Sequence, residues 1–205
     1  MRRSSADRRP RGRGSQIRII GGDWRGRRLK VPAGEGLRPT PDRVRETLFN
    51  WLAPDLRGAR VLDAFAGAGA LGFEAASRGA RSVTLVERDR RVAALLQRQA
   101  VELDDAGRVE VVAADVLDYL RDPSPQRYDL VFVDPPYDRP QLREQLLQAL
   151  EQGDRLESGA RIFVEWPKRE PRPLAAGFGG RDLIWIKQKQ AGEVAFALAQ
   201  PDTSG

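Results

Sequence analysis

From Arg60 onward, short apolar runs rich in β-branched residues alternate with longer amphipathic stretches, and few architectures accommodate that rhythm. The spacing predicts strands over 60–64, 82–87, 108–113, 128–134 and 160–165, separated by helices over 70–79, 89–104, 115–121 and 139–152. Strands joined through helices lie parallel, with helices covering both faces of the sheet. Two final runs, Leu183 to Lys189 and Val194 to Ala199, are separated by a short turn and predict an antiparallel hairpin, hence one reversed strand. A chain of 205 residues is long enough for one full core, and residues 55–200 are assigned to this α/β domain.

The fourth of these strands, Val131-Phe132-Val133, ends in Asp134-Pro135-Pro136-Tyr137. Proline cannot donate to a sheet, and Pro135 biases Asp134 toward an extended backbone. The carboxylate, the neighbouring carbonyls and the Tyr137 ring therefore form a stiff cluster at the carboxyl end of a strand, where open α/β sheets bind ligands. Taken alone, the same residues would equally serve as an acidic strand end closed by a turn.

Val61 to Gly72 joins the first strand to its helix and holds Gly67, Gly69 and Gly72 at dinucleotide-binding spacing. Glu87, twenty residues after Gly67, stands where a ribose-binding acid belongs. A nicotinamide or flavin dinucleotide would satisfy this pattern, and so would S-adenosylmethionine. Asp63 separates the two, because a carboxylate beside the glycines repels a pyrophosphate and attracts an ammonium and a sulfonium. Asp63, Phe65, Ala66, Gly67, Gly69, Leu71 and Gly72 are therefore the candidate cofactor loop, with Glu87 and Arg88 beside it. Asp115 is a candidate acceptor for an adenine amino group, with Val116 against the ring, and it also suits the N-cap of the next helix. A methyl donor beside the Asp134, Pro135, Pro136 and Tyr137 set implies methyl transfer to an exocyclic amino nitrogen. Asp134 and the Pro135 carbonyl would accept its hydrogens and Tyr137 would stack on the ring, so alignment and electrostatics carry the rate.

There is no cysteine and no histidine, so disulfides, thiolate or imidazole chemistry and the usual zinc ligand sets are excluded, and no metal is expected. No signal-peptide core follows the first residues and no apolar run spans a bilayer, so a cytoplasmic protein is expected. Charge is segregated: residues 1–60 hold sixteen Lys or Arg against six Asp or Glu, net +10, whereas residues 61–205 hold nineteen against twenty-three, net −4. A basic block of this kind points to a polyanionic partner. Residues 1–16 have little to bury and are expected to form a disordered tail. Residues 17–54 predict a basic hairpin, with strands Ile17–Ile20 and Trp24–Val31, and then a helix capped by Thr40, opened by Pro41 and ended by Pro54. Val44, Leu48 and Trp51 or Leu52 share its inner face, leaving Arg43, Arg45, Glu46 and Asn50 on the others.

Arg18-Ile19-Ile20-Gly21-Gly22, Trp24-Arg25-Gly26-Arg27, the stretch Leu37 to Leu52, the loop Asp63 to Gly72 and Asp134 to Tyr137 together resemble the bacterial 16S ribosomal RNA guanine N2-methyltransferase family. The resemblance spans nearly everything after the tail, and the stretch from Arg38-Pro39-Thr40 to Asn50-Trp51-Leu52 is its distinctive part. It implies a class I methyltransferase, Rossmann-like, with a seven-stranded, mostly parallel sheet carrying one antiparallel strand, and an N-terminal β-hairpin and helix extension that helps to hold RNA. The implied reaction moves a methyl from S-adenosylmethionine to N2 of guanine 966 of 16S rRNA. The implied setting is rRNA processing on a 30S subunit or assembly intermediate, by a monomer. On that basis Arg18, Trp24, Arg25, Arg27, Arg38, Thr40, Arg43, Arg45 and Glu46 become candidates for substrate contact. Residues 34–47 become a segment expected to order over cofactor and base. Rival readings are an amino-methyltransferase acting on adenine N6 of DNA or on a guanine of tRNA or large-subunit RNA, and a non-catalytic RNA-binding assembly factor. The last should have lost an acid from the sheet edge, whereas Asp63, Glu87, Asp115 and Asp134 are all present.

Overall fold

Residues 16–31, 40–123, 126–136, 138–173 and 183–202 are described in a computed structural model of the chain. The tail before Gln16 and the candidate residues Arg38 and Tyr137 lie outside them. In chain order the elements are β1 (Gln16–Arg18), β2 (Arg28–Lys30), α1 (Asp42–Leu56), β3 (Arg60–Asp63), α2 (Ala70–Ser77), β4 (Ser82–Val86), α3 (Arg90–Leu103), β5 (Val109–Val112), α4 (Val116–Arg121), β6 (Tyr128–Val133), α5 (Gln141–Gln152), β7 (Leu156–Pro167), β8 (Leu183–Ala191) and β9 (Val194–Pro201).

Strands β1 and β2 pair antiparallel, and the other seven form one sheet in the order β5-β4-β3-β6-β7-β9-β8. Within it β9 alone is reversed, running antiparallel to both β7 and β8. Because β3 pairs with β4 on one side and β6 on the other, chain order reverses there, and the carboxyl ends of β3 and β6 flank the crevice expected of such a sheet. Alternation along the strands sorts side chains between two cores. Val61, Val83, Leu85, Phe132 and Phe163 face α1, α2 and α3, while Leu62, Val131, Val133, Ile162 and Val164 face the leucines of α4 and α5. Phe49 of α1 meets Phe132 edge-on at 6.0 Å between ring centroids, and Phe132 meets Phe163 at 6.1 Å. Those tilted contacts, favourable beyond the area they bury, seat α1 on the sheet.

The N-terminal region departs from its sequence-based description in several places. Strand β2 covers only Arg28–Lys30, because Gly22 and Gly26, with φ of +77° and +85°, turn the chain through Trp24. Helix α1 starts at Asp42 after Pro41, and Thr40 makes no capping bond. Pro54 lies inside the helix rather than ending it. It sits in the last turn, where its missing N–H forfeits a single bond near exposed residues, so two further residues stay helical. Arg45, expected on an outer face, is fully buried.

Arg45 is buried because Glu74 is. All eight residues of α2 are buried, so the Glu74 carboxylate has no water to face and must be met by donors. It accepts from the Ile20 and Gly21 amides at 2.8 Å each, from Arg78 at 2.7 Å and from Arg45 at 3.3 Å. Arg45 in turn donates to the Arg18 carbonyl at 2.9 Å and pairs with Asp42 at 2.7 Å. One turn on, Ser77 accepts from the Trp24 amide at 2.9 Å and donates to the Gly21 carbonyl at 2.6 Å. At Gly22 a Cβ would lie 1.9 Å from the Ser77 carbonyl oxygen, so this approach admits only glycine. Ile17, Ile19, Trp24 and Leu29 accordingly share one core with α1 and the sheet.

Replacing Glu74 by Ala strands the buried Arg45 guanidinium and two backbone amides. A loss of about 3–5 kcal/mol in unfolding free energy is expected from urea denaturation. A loss below about 1 kcal/mol would show that the buried pair does not hold the hairpin.

Candidate active site

The carboxyl ends of β3 and β6 bring the two central acids together. In the ladder Asp63 is level with Phe132, two residues before Asp134. Asp63 is 3 % exposed and accepts from the Gly72 amide, in the first turn of α2, at 2.9 Å. Helix α2 has no side-chain N-cap, and this carboxylate meets both its unpaired amide and the positive end of its dipole. Burial nevertheless raises the Asp63 pKa to about 7, the Gly72 amide opposing and the negative charges of Asp134 and Glu87 adding to it. Asp134 is half-buried as a residue, yet its carboxyl is crowded enough for desolvation to raise its pKa to about 6, against the hydrogen bond from Thr40 and the charge of Arg143.

Around these acids the predicted loop is present with its roles divided. Two of its glycines answer to packing within the protein. A Cβ on Gly72 would lie 2.1 Å from Leu85 of β4, and one on Gly69, at φ +77°, 2.6 Å from Phe73. Gly67, at φ +51°, gives its amide to Glu87 at 2.9 Å, and the other Glu87 oxygen accepts from Asp89 at 2.7 Å. Phe65 is half-buried, Ala66 and Leu71 are buried, and Arg88 is exposed beside Glu87. Asp115 is the N-cap of α4, accepting from the Leu117 amide at 2.9 Å, with Val116 buried behind it. Pro135 is buried and Pro136 exposed, and the Pro136 carbonyl accepts from the Arg139 amide at 2.9 Å.

The residues expected to contact substrate divide into two groups. Arg18, Arg25, Arg27, Arg43 and Glu46 are exposed. Trp24, Thr40 and Arg45 are buried. Trp24 packs at a tilt on Phe73, 6.5 Å away between centroids, and has the Arg108 guanidinium over its ring at 5.1 Å. Thr40 donates to Asp134 at 3.3 Å. Of the segment expected to order over the ligands, residues 42–47 are the first turns of α1 and residues 34–39 lie outside the described set.

Arg143 escaped the sequence reading. It is 6 % exposed, on the inner stripe of α5 with Leu146, Leu147 and Leu150. Its i, i+3, i+4, i+7 relation to those leucines was the available signal, a charge on an apolar stripe. Burial lowers its pKa, and Glu170, Glu144 and Asp134 raise it.

A seven-stranded sheet in this order, with one reversed strand and acids along its central carboxyl edge, is the class I methyltransferase fold. Residues 17–200 match the family described as Conserved hypothetical protein 95, and the chain belongs to it. It is 45% identical over 190 residues to "Ribosomal RNA small subunit methyltransferase D" of Escherichia coli K12, covering 93% of this chain and 92% of that one. The solved structure of yhhF from Escherichia coli is similar at a TM-score of 0.81 and 43% identity, over 93% of this chain and all of that one. A Thermus thermophilus 16S rRNA N2 G1207 methyltransferase solved with AdoMet and guanosine shares the fold at a TM-score of 0.68 and 23% identity, over 92% of this chain and 50% of that one.

With folded pKa values of about 7 and about 6 above an ordinary 3.8, Asp63 and Asp134 hold protons in the native state that the unfolded chain has released. Stability of the ligand-free protein should therefore fall as pH rises from about 4 to about 7 and level off above. Asp63→Asn keeps the acceptor for Gly72 and removes the charge, so it should flatten the slope. Urea unfolding of both proteins across that window is the measurement, and identical slopes would contradict the assignment.

Proposed function

We propose that this protein is an S-adenosylmethionine-dependent methyltransferase of small-subunit ribosomal RNA, acting on the exocyclic N2 of guanine 966. The observation that carries the reading is the end-to-end similarity to a small-subunit rRNA methyltransferase, with 93% of this chain and 92% of the relative aligned. Site chemistry supports it. Asp63, Glu87 and Asp134 concentrate negative charge at one sheet edge, which suits a ligand carrying an ammonium and a sulfonium and disfavours a pyrophosphate. Asp63, Phe65, Ala66, Gly67, Gly69, Leu71, Gly72, Glu87, Arg88, Asp115 and Val116 are the residues proposed to hold it.

S-adenosylmethionine supplies an electrophilic methyl when bound. The protein's own work is to make an amino nitrogen into a nucleophile. Asp134 and the Pro135 carbonyl accept the amino hydrogens, which turns the nitrogen lone pair toward the methyl, while Pro136 and the adjoining turn keep the acceptors rigid. Transfer would break the donor's sulfur–methyl bond and leave S-adenosylhomocysteine as the neutral thioether; the alkylated nitrogen would be acidic, and Asp134 is placed to take its proton and pass it to solvent. Tyr137 is proposed to stack on the base, which must leave its helical stack to enter. The exposed arginines Arg18, Arg25, Arg27 and Arg43 are proposed to engage phosphates, within a 30S particle or assembly intermediate in the cytoplasm, with the protein acting as a monomer. Among the described residues no helix is long and apolar enough to cross a membrane.

Incubation with labelled S-adenosylmethionine and either naked 16S RNA or 30S particles from a strain lacking the homologous enzyme should yield N2-methylguanosine on nucleoside digestion. Finding N6-methyladenosine, or no product, would overturn the reading. Asp134→Ala should slow transfer on the order of 10²–10⁴-fold with cofactor affinity little changed, whereas equal losses of both would make Asp134 a cofactor ligand instead. Arg25→Ala and Arg27→Ala should each reduce the salt dependence of RNA binding by about one counterion, with unaltered slopes removing these residues from the interface.

A further inference from the structure

Thr40 lies two residues before α1, 6 % exposed, and spans ninety-four positions of sequence to donate from Oγ1 to Asp134 Oδ2 at 3.3 Å. Its sequence context predicts a helix cap, yet α1 has no side-chain cap, so the hydroxyl is available to the carboxylate. Three elements present polar or charged groups toward Asp134. Strand β3 brings Asp63, α5 brings Arg143 with Glu144 and Glu170 acting on it in turn, and the residue ahead of α1 brings the Thr40 hydroxyl.

We propose that Thr40 is a positioning residue for methyl transfer, its hydroxyl holding the Asp134 carboxylate turned so that its remaining lone pairs meet the amino hydrogens of the base. The inference rests on the reading of Asp134 as the acceptor of those hydrogens. A carboxylate has a broad torsional well about its last bond, so a donor fixed to one oxygen settles the plane of both. The same contact protects the acceptor's charge state. Burial drives Asp134 toward its protonated form, in which one oxygen is a donor, and the Thr40 hydroxyl and Arg143 oppose that drive. Because the hydroxyl stabilises the anion, its loss moves ionisation to higher pH. Activity that needs the anion then fades at a higher pH than in the parent.

The test compares Thr40→Val, Thr40→Ser and Asp134→Ala in single-turnover methylation of 30S particles over pH values bracketing neutrality, with cofactor affinity measured by calorimetry. Thr40→Val, isosteric and without a donor, should transfer methyl roughly ten- to a hundredfold more slowly at neutral pH, with cofactor affinity unchanged and the acidic limb of the profile moved upward. Thr40→Ser should restore rate and profile together. Should Thr40→Val fail to bind cofactor or to unfold cooperatively, Thr40→Ala repeats the comparison without the extra methyl to pack. A parental rate and profile in Thr40→Val beside an inactive Asp134→Ala would overturn the role of Thr40 and leave that of Asp134 standing. A uniform loss at every pH that Ser does not rescue would make Thr40 a packing residue. Full activity in Asp134→Ala would remove the acceptor itself.

Discussion

A carboxylate in a helix with no solvent-facing side fixes much of this molecule. Glu74 sits in α2, every residue of which is buried, and its two oxygens are met by two backbone amides of the N-terminal hairpin and by Arg45 and Arg78. Ionised groups are tolerated inside a protein only when donors replace the lost water. Apart from Arg78 at the end of α2 itself, the donors come from Ile20, Gly21 and α1, so the chain ahead of the sheet has little choice of position. The helix that holds the hairpin also follows the glycine loop directly. Hairpin and loop are thus joined through one short helix, which bonds the hairpin by Glu74 and Ser77 and begins directly after Gly69.

Comparison of Glu74 with Asp63 shows two different ways in which a buried acid is accommodated. Both are buried in or beside α2. Glu74 is met by two guanidinium groups, whereas Asp63 has the Gly72 and Phe65 amides and, pushing the other way, the charges of Asp134 and Glu87. The result is a carboxyl held near pKa 7 by burial, an arrangement that costs stability when ionised and is relieved by an incoming cation. Perturbed acids in a cleft concentrate where ligands bind, although ion-pair networks perturb pKa values too. The guanidinium groups on Glu74 mark it as such a network.

Elements after Arg60 were legible because buried parallel strands and amphipathic helices write different periods into the sequence. Each predicted strand and helix there has its counterpart, with β7 longer than expected at Leu156–Pro167. The acids were legible for a related reason, since Asp63 and Asp134 end apolar runs where a buried strand gives way to the sheet edge. The burial of Trp24, Thr40 and Arg45 was not legible because their environments are tertiary. Composition near them is basic and polar, and Glu74, Ser77 and Asp134, which claim this region, are up to ninety-four positions away. Local propensity predicted a cap in Thr40, but the helix is entered from Pro41 and the Thr40 hydroxyl goes to the Asp134 carboxylate instead.

Strand ends are proposed to supply the chemistry and the N-terminal segment the choice of RNA, so the two must be held in register for a base delivered by one to meet the other. Helix α1 makes that connection twice. Arg45, in its first turn, is locked to Glu74 and to the Arg18 carbonyl of the hairpin, and Thr40, just ahead of it, reaches Asp134. Arginine at position 45 is demanded by geometry, since one guanidinium serves Glu74, Asp42 and a backbone carbonyl together, a fork that the single ammonium of lysine does not reproduce. A basic segment that looks in sequence like an RNA-binding face therefore spends its central arginine on the protein interior. Its exposed neighbours Arg18, Arg25, Arg27 and Arg43 are the ones proposed to meet the nucleic acid.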